Sequence, residues 1–493
     1  MSTSLPSHDI CYRALGVRDR RFDGRLFVAV RTTGIYCRPI CPARTPKKEN
    51  CTFYPSAAAA QAAGFRPCLR CRPEISPDAA AWRGTSNTVS RALSLIAEGA
   101  LDEGDIAGLG DRLGMGERQL RRLFEQHLGV PPIAVAQTRR VLFAKQLIQE
   151  TSLPMVEIAQ AAGFGSVRRF NDAFRKLYGR APSDLRIRKT AADTSSVTLR
   201  LGYRPPYDWD AMLAFLAGRA IAGVELVEGD RYRRTIAIDG AVGSVEVAPG
   251  DNYLVATIRL PQVGGLLSVV ARLRRLFDLD ADVEAIGAHL AGDLALAPLI
   301  ARRPGLRSPG AWDPFELAIR AVLGQQITVT GARTLAGRLV HLAGTPIAPD
   351  TSGHPALTHV FPTPSQVAAA DFTGFGMPQA RIATLQALAH AAAADEELFE
   401  SHGAPDAVIA RLLGLPGFGA WTVQYWALRA LRDSDAFPAG DVGLQRSPAV
   451  ASEGARLSAK SLLERAEAWR PWRAYAAQHL WTAEGDQRSA AHG

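Results

Sequence analysis

Cys37-x3-Cys41 is followed, after 26 intervening residues, by Cys68-x2-Cys71, two close thiolate pairs that make up the donor set of a tetrahedral zinc site. Such a site staples a core too small to fold alone. Alternatively, because four thiolates on one Zn²⁺ leave a net negative charge, it holds an unusually nucleophilic sulfur; the spacing is compatible with both. Arg38, Arg44, Lys47, Lys48, Arg66, Arg70 and Arg72 flank the cysteines in sequence, a setting suited to a DNA backbone. A second constellation lies far downstream. Leu415-Pro-Gly-Phe-Gly-Ala-Trp-Thr422 is a tight turn, with Gly417 and Gly419, entering a helix whose first N–H groups can hold a phosphate. Asp441, in Pro438-Ala-Gly-Asp, stands 24 residues after Gly417, either as a reactive carboxylate or as a helix N-cap.

The elements that must position these residues separate by composition. The 493 residues call for several domains, and no apolar run is long enough to span a bilayer. Residues 1–82 are rich in Cys, Arg and Pro with short strand-like runs, a small α+β domain in need of a staple. Residues 83–189 read as helices throughout. Residues 190–196 are small and polar, a linker. Residues 197–300 alternate apolar and polar with helices between, an α+β domain; 301–484 return to Ala/Leu-rich helices; and 485–493 read as a disordered tail. The net charge of +9 is uneven: residues 1–190 carry +13 and the remainder −4, so the first part favours a polyanionic partner. All six cysteines precede residue 72. The N-terminus shows no export signal, which sets the expectation of a reducing cytoplasm, and with it a metal cluster before disulfides. Cys11 and Cys51 lack partners at ligand spacing and read as ordinary buried thiols.

The helical block contains a repeat. Leu120, Phe124, Gly129 and Pro132 recur as Phe170, Phe174, Gly179 and Pro182, each offset by 50, so the block reads as a duplicated helix-turn-helix. The polar face of the first recognition helix carries Arg118, Gln119, Arg121 and Arg122; that of the second carries Ser166, Arg168, Arg169 and Asn171. Arg can read guanine and Asn or Gln adenine, although an exposed Arg equally holds phosphate or stays solvated.

Phe27-Val-Ala-Val-Arg-Thr-Thr-Gly-Ile-Tyr-Cys-Arg-Pro-Ile-Cys41 with Ala63-Gly-Phe-Arg-Pro-Cys-Leu-Arg-Cys-Arg-Pro73 closely resembles the N-terminal domain of the Ada family of adaptive-response regulators. The resemblance implies one Zn²⁺ on Cys37, Cys41, Cys68 and Cys71, with Cys37 accepting a methyl group irreversibly from a methylphosphotriester. The thioether so formed would cut the negative charge of the site and tighten DNA binding. Residues 83–189 resemble the AraC-type DNA-binding domain through Ile158-Ala-x3-Gly-Phe-x-Ser-x3-Phe-x3-Phe-x4-Gly-x2-Pro182, which implies promoter binding as a monomer and contact with RNA polymerase.

The hairpin and Asp441 resemble the helix-hairpin-helix glycosylase superfamily, in which such an Asp drives base excision. The flanks Pro314-Phe-Glu-x2-Ile-Arg-Ala-Val-Leu-Gly-Gln-Gln-Ile-Thr328 and Trp469-Arg-Pro-Trp-Arg-Ala-Tyr-x4-Leu-Trp481 resemble its AlkA branch over roughly 197–484. The resemblance implies an α+β domain followed by an all-α glycosylase domain, a base pocket of Trp421, Tyr425 and Trp481, a wedge loop holding Gln326, and a monovalent cation at the hairpin. Trp421 replaces the lysine of lyase relatives, so the activity implied is monofunctional excision of bases such as 3-methyladenine from alkylated double-stranded DNA. The absence of cysteine after residue 71 excludes an iron–sulfur cluster, and the absence of a Pro-Cys-His-Arg motif predicts no repair at guanine O6. Two alternatives remain at this level: a regulator with an inactive glycosylase-like platform, and a constitutive repair enzyme whose zinc domain only targets DNA.

Overall fold

The computed structural model describes residues 5–76, 87–102, 104–186, 196–400, 405–451 and 456–492. Most of the expected linker, 190–195, lies outside them. The chain forms two compact units. One comprises Met1–Pro205 with Ala237–Ala271 and Leu279–Ala281; the other comprises Pro206–Ile236, Arg272–Asp278 and Asp282–Gly493.

In the first unit, the apolar and β-branched run β1 (Phe27–Val30) is central in a small sheet. It pairs antiparallel with β2 (Ile35–Cys37) and β3 (Cys51–Tyr54), with Val28 opposite both Cys37 and Phe53. β4 (Arg66–Pro67) joins β2 in parallel. This pairing brings the end of β2, which bears Cys37, beside the loop that bears Cys68 and Cys71. The helical part holds two copies of one motif. Helices Ile106–Leu113 and Glu117–Leu128 form the first, and Met155–Ala161 and Val167–Tyr178 the second. The 50-residue offset is visible in the caps: Gly129 and Gly179 both take left-handed conformations, φ 74° and 67°, and end the two recognition helices. Phe124, Phe170 and Phe174 are fully buried, as core members of the repeat.

The 19-residue helix Pro132–Glu150 connects the copies, and its last turns are buried although they read Lys145-Gln-Leu-Ile-Gln-Glu150. Their polar groups are satisfied one by one. Lys145 donates to Glu74 and to the Cys68 carbonyl (3.2 Å), and Arg72 joins Glu74 (3.1 Å) to Glu150 (2.5 Å). Glu150 accepts from the backbone N–H of Arg200 (3.0 Å), and Gln146 donates to the Arg200 carbonyl (2.9 Å). Arg200 belongs to β5 (Val197–Gly202), which also approaches the first domain closely: a Cβ at Gly202 would stand 2.0 Å from the Ile75 carbonyl.

The alternation expected over 197–300 is realised in strands. β6 (Glu225–Glu228) and β7 (Arg231–Ile238) form a hairpin; β8 (Ala241–Pro249) and β9 (Tyr253–Arg259) pair antiparallel, and β9 pairs with β5. Along β9, Leu254, Ala256 and Ile258 are buried while their neighbours are half-buried, the period-2 pattern that its sequence shows. This stretch contributes to both compact units.

The second unit packs helices Pro314–Leu323, Val329–Ala343, Gln379–Ala394, Pro405–Leu413 and Ala420–Trp426 around a core that includes Phe315, Val322, Leu339, Leu385 and Trp426. The Pro/Gly/Thr segment between helices contains two short paired strands, Thr345–Pro346 and His359–Val360. Residues 485–492, expected as a disordered tail, instead continue the helix Arg473–His492. Gln487, Arg488, Ala490 and Ala491 there are good helix formers, and Asp486 accepts from Arg303. Among the described residues no helix is long and apolar enough to cross a membrane.

The family-like segment Pro314-Phe-Glu proves structural. Arg234 donates to Glu316 (2.7 Å), and Arg320 donates to Glu316 (2.6 Å) and to Glu225, all within the core. Burial would raise the Glu316 carboxyl, but Arg234 and Arg320 outweigh it and hold it down to about 2, from an ordinary 4.5. A carboxyl lowered in the folded state stabilises above its unfolded pKa and loses that contribution as pH falls through the folded value. An acid titration of unfolding is therefore expected to lose on the order of 3 kcal/mol between about pH 4.5 and 2. Glu316→Gln removes this step and, by leaving Glu225 as the one carboxylate facing both Arg234 and Arg320, lowers stability at neutral pH by about 3–5 kcal/mol.

Candidate metal centre and candidate active site

The four cysteines converge. Their Sγ atoms all lie within 4.8 Å of one another, Cys37 half-buried and Cys41, Cys68 and Cys71 buried. Sulfurs about 2.3 Å from a common ion stand within this spacing. Backbone N–H groups point at the sulfurs, Arg38 N–H to Cys71 Sγ (3.3 Å) and Arg70 N–H to Cys68 Sγ (3.4 Å). Without a cation the four cannot ionise together. Hydrogen bonds from Cys37, Cys41 and Cys71 pull the Cys68 thiol down, and hydrogen bonding with Cys41 and Cys68 pushes Cys37 up. A divalent soft cation resolves that conflict, so the donor set fits zinc.

A cavity of about 400 Å³ opens beside Cys37 and Cys41; Val28, Thr32, Ile35 and Leu69 line its wall, and Arg44, Arg66 and Arg70 supply cations. The basic surround expected from sequence is thus divided. Arg38 turns inward to pair with Asp23, Arg72 is engaged by Glu74 and Glu150, and Lys48 pairs with Asp9. Sequence alone could not separate them, because Asp23, the partner of Arg38, and Glu150, the second partner of Arg72, are distant in the chain. Cys11 and Cys51 stand apart as buried thiols donating to the carbonyls of Pro6 and Lys47 (3.4 Å each), and burial pushes both up.

On the recognition helices, Arg118, Gln119, Arg121, Arg122, Arg168 and Arg169 are exposed and Asn171 is half-exposed. Arg121 pairs with Glu117 one turn away. Ser166 is the N-cap of its helix, its hydroxyl accepting from the Arg169 N–H (3.2 Å). This engagement was unforeseen, and it follows from its place immediately before the helix.

In the second unit, Asp441 caps the helix Val442–Arg446 by accepting from the Leu444 N–H (3.0 Å) and also faces two indoles. Trp481 Nε1 donates to Oδ1 (2.8 Å) and Trp421 Nε1 to Oδ2 (2.9 Å). Trp421 stacks on Tyr425, centroids 5.6 Å apart and planes 10° apart, and Trp481 meets Tyr425 edge-on at 6.2 Å. All three rings are half-buried, so they form an aromatic recess with a carboxylate at its edge rather than a closed core. The hairpin turn precedes Trp421. Gly417 has φ 79°, and a Cβ there would sit 2.3 Å from Thr384 Oγ1, so only glycine fits; Gly419 is the N-cap of the helix Ala420–Trp426. Gln326 is exposed with φ 58° at the tip of the turn between Pro314–Leu323 and Val329–Ala343.

Three contributors escaped sequence analysis. Gln325 ties the Gln326 turn to the hairpin, donating to the Gly417 carbonyl (3.0 Å) and to Thr422 Oγ1 (3.2 Å). Gln424 accepts from the Phe437 N–H (3.0 Å) and fixes the loop before Asp441. Arg429, in a π-helical turn over Ala427–Leu431, lies beneath Tyr425 and Trp481. Only its place two turns after Trp421 could have signalled it.

Three family models match the chain: the metal binding domain of Ada over residues 10–74, a helix-turn-helix domain over 109–188, and the AlkA N-terminal domain over 198–313. Together they define a chain that joins an Ada-type zinc module and a helix-turn-helix to an AlkA-type repair domain. It belongs to the family of bifunctional transcriptional activator/DNA repair enzymes AlkA. It is 42% identical to the probable bifunctional transcriptional activator/DNA repair enzyme AlkA of Mycobacterium tuberculosis (strain CDC 1551 / Oshkosh), over 96% of this chain and 95% of that protein. Over 58% of this chain it is 36% identical to 98% of DNA-3-methyladenine glycosylase 2 of Escherichia coli (strain K12). In fold, 58% of the chain is similar to 97% of a 3-methyladenine DNA-glycosylase from Archaeoglobus fulgidus, with a TM-score of 0.51 and 22% identity. Cys37, Cys41, Cys68 and Cys71 are accordingly the ligands of a zinc site.

Proposed function

We propose that this protein couples repair of alkylated double-stranded DNA to its transcriptional response. Residues 1–82 accept a methyl group on Cys37, residues 83–189 read promoter DNA through the two recognition helices, and residues 197–484 excise alkylated bases such as 3-methyladenine, as a monofunctional glycosylase. The protein acts in the cytoplasm as a monomer and contacts RNA polymerase when it activates. The observation that carries the repair activity is the Asp441 carboxylate, held by two indole N–H groups at the edge of an aromatic recess.

In the recess, an alkylated base turned out of the helix stacks on Trp421, Tyr425 and Trp481. As the C1′–N bond breaks, its electron pair stays with the base, which leaves neutral, and positive charge develops on the sugar. Asp441 stabilises that charge and takes a proton from the water that adds to C1′. The indole N–H bonds keep the carboxylate aimed. Gln326 occupies the gap left by the base, Gly417 and Gly419 offer their backbone to a phosphate, and carbonyls of the same hairpin hold a monovalent cation.

At the first site, Cys37 Sγ attacks the methyl carbon of a phosphotriester. The S–C bond forms, the C–O bond breaks, and the phosphate oxygen keeps the pair as a diester anion. Bound zinc keeps the thiolates ionised at neutral pH. Of the three ligands that line the cavity, Cys37 is half-buried while Cys41 and Cys68 are buried, and Arg44, Arg66 and Arg70 attract the backbone.

Incubation of the purified protein with alkylated duplex DNA tests both activities at once. Methylated purines are expected in the soluble fraction, and one added methyl on the Cys37 peptide by mass spectrometry. DNA binding with neither product would reduce the protein to a regulator with an inactive platform.

A further inference from the structure

Arg429 is a buried cation with no carboxylate partner among the described residues. Its side chain is in the core at 2% exposure. It donates to the Pro309 carbonyl (2.9 Å) and to Gln478 Oε1 (2.9 Å), both neutral, and its Nε has no partner. Its charge is instead met by the Tyr425 phenol, with which it hydrogen-bonds, and by three aromatic faces, with Cζ 4.7 Å from the Phe215 centroid, 5.3 Å from Trp481 and 5.6 Å from Tyr425. The charged neighbours do not cancel it. Arg219 lies over Phe215 at 4.0 Å, and Arg432 is itself neutralised by Asp278. Burial pushes the guanidinium down to about 10, so at neutral pH it keeps its proton. For folding alone, an unpaired buried cation is a liability that an apolar side chain would remove. A π-helical turn, a feature enriched at functional sites, places it there.

Trp481 spans the two charges of the recess: its Nε1 donates to Asp441 at 2.8 Å and its ring face lies against Arg429. A base stacked on these rings has a fixed cation behind the aromatic wall and a fixed anion at the edge where its sugar sits. We infer that Arg429 is an electrostatic specificity element of the glycosylase, which drives positive charge off a cationic alkylpurine and onto the sugar beside Asp441. The inference rests on the glycosylase reading. In the ground state, the cationic base and Arg429 repel through the rings; when the C1′–N bond breaks and the pair moves to the base, the positive charge passes to the sugar at the Asp441 edge, farther from the guanidinium, and the repulsion falls. Arg429 thus costs binding of the cationic lesion and favours its departure. It acts through Trp481 and Tyr425 without touching the reacting atoms, as a positioning residue for charge.

The test is the kinetics of 7-methylguanine release from duplex DNA by wild type, Arg429→Met and Arg429→Lys, with the Kd of an undamaged duplex alongside. Arg429→Met is expected to lower kcat by about 2–3-fold, the factor produced when a unit charge moves from about 10 Å to about 15 Å from the guanidinium at an effective dielectric near 20. It is also expected to lower KM for the lesion and to leave the undamaged Kd unchanged, while Arg429→Lys recovers kcat. A packing defect would instead raise KM and would not be rescued by charge. If Arg429→Met does not fold, Arg429→Gln, neutral but polar, takes its place. Unchanged kcat in the neutral variant, or a fall in kcat with raised KM and no rescue by Lys, overturns the inference alone. A wild type that releases no base overturns the glycosylase reading and this inference with it.

Discussion

Asp441→Asn lowers release of methylated purines by about 10²–10³-fold, the range for removing one electrostatic group from a site of this kind. The loss is geometric as well as electrostatic. The Asn carbonyl can keep the contacts of Oδ1, to the Leu444 N–H and Trp481 Nε1, but its NH₂ then faces Trp421 Nε1, donor against donor. One indole loses its partner, and the variant is destabilised by about 1–3 kcal/mol. The rate of base release at saturating DNA, measured beside thermal unfolding, separates the two effects. Stability falls modestly and the helix cap survives, while the chemical step collapses. Methyl acceptance by Cys37 is unchanged in the same sample, because Asp441 and the zinc cysteines belong to different compact units. A variant that retains base release within about 3-fold of wild type would remove Asp441 from the chemistry, since even one misplaced general base costs more than that.

The second large effect is at the zinc site. Cys37→Ser abolishes methyl transfer, since a serine hydroxyl at neutral pH is no substitute for a thiolate. Substitution of Cys41, Cys68 or Cys71 also abolishes transfer, but through loss of metal, read as zinc per chain. Stripping the metal with a strong chelator is expected to unfold much of residues 5–76, because the sheet there is small and its metal loop is held by the four sulfurs. Hydrogen exchange read region by region checks this: fast exchange should appear in the first unit, and base release by the second should persist. Retained protection throughout residues 5–76 without zinc would make the metal dispensable for folding.

The donor spacing of the cysteines, the 50-residue repeat and the alternation of β9 were each visible in the sequence because they are local periodicities, and backbone geometry translates such periods directly into faces. The same holds for Gly417, where a special φ demands a special residue. Asp441 was legible only with its hairpin, since a carboxylate before a helix is an ordinary cap. What stayed hidden depends on partners remote in the chain. Arg38 and Arg44 look alike in sequence, yet Asp23 takes one inward and leaves the other on the cavity. Gln325 and Gln326 are neighbours of one type, and only the fold shows one tied to the hairpin and the other exposed at the tip. Arg429 reads as a surface residue of an Ala/Leu-rich helix until the π-helical turn buries it beneath the aromatic recess.

The end of the long helix Pro132–Glu150 bears on how the protein can be dissected. Sequence modules suggest a cut at 190–196, dividing regulator from repair enzyme. Such a cut would part Glu150 from the Arg200 N–H and Gln146 from the Arg200 carbonyl, and it would uncover the Ile75 backbone that Gly202 touches. A fragment ending there would open Glu150, Gln146 and the ion pair of Glu150 with Arg72 to water, next to the loop that bears Cys68 and Cys71, so its zinc affinity and methyl acceptance would report the wound as much as the sensor. The natural seam of the regulator lies beyond β5, and a faithful isolated sensor would have to take at least that strand with it.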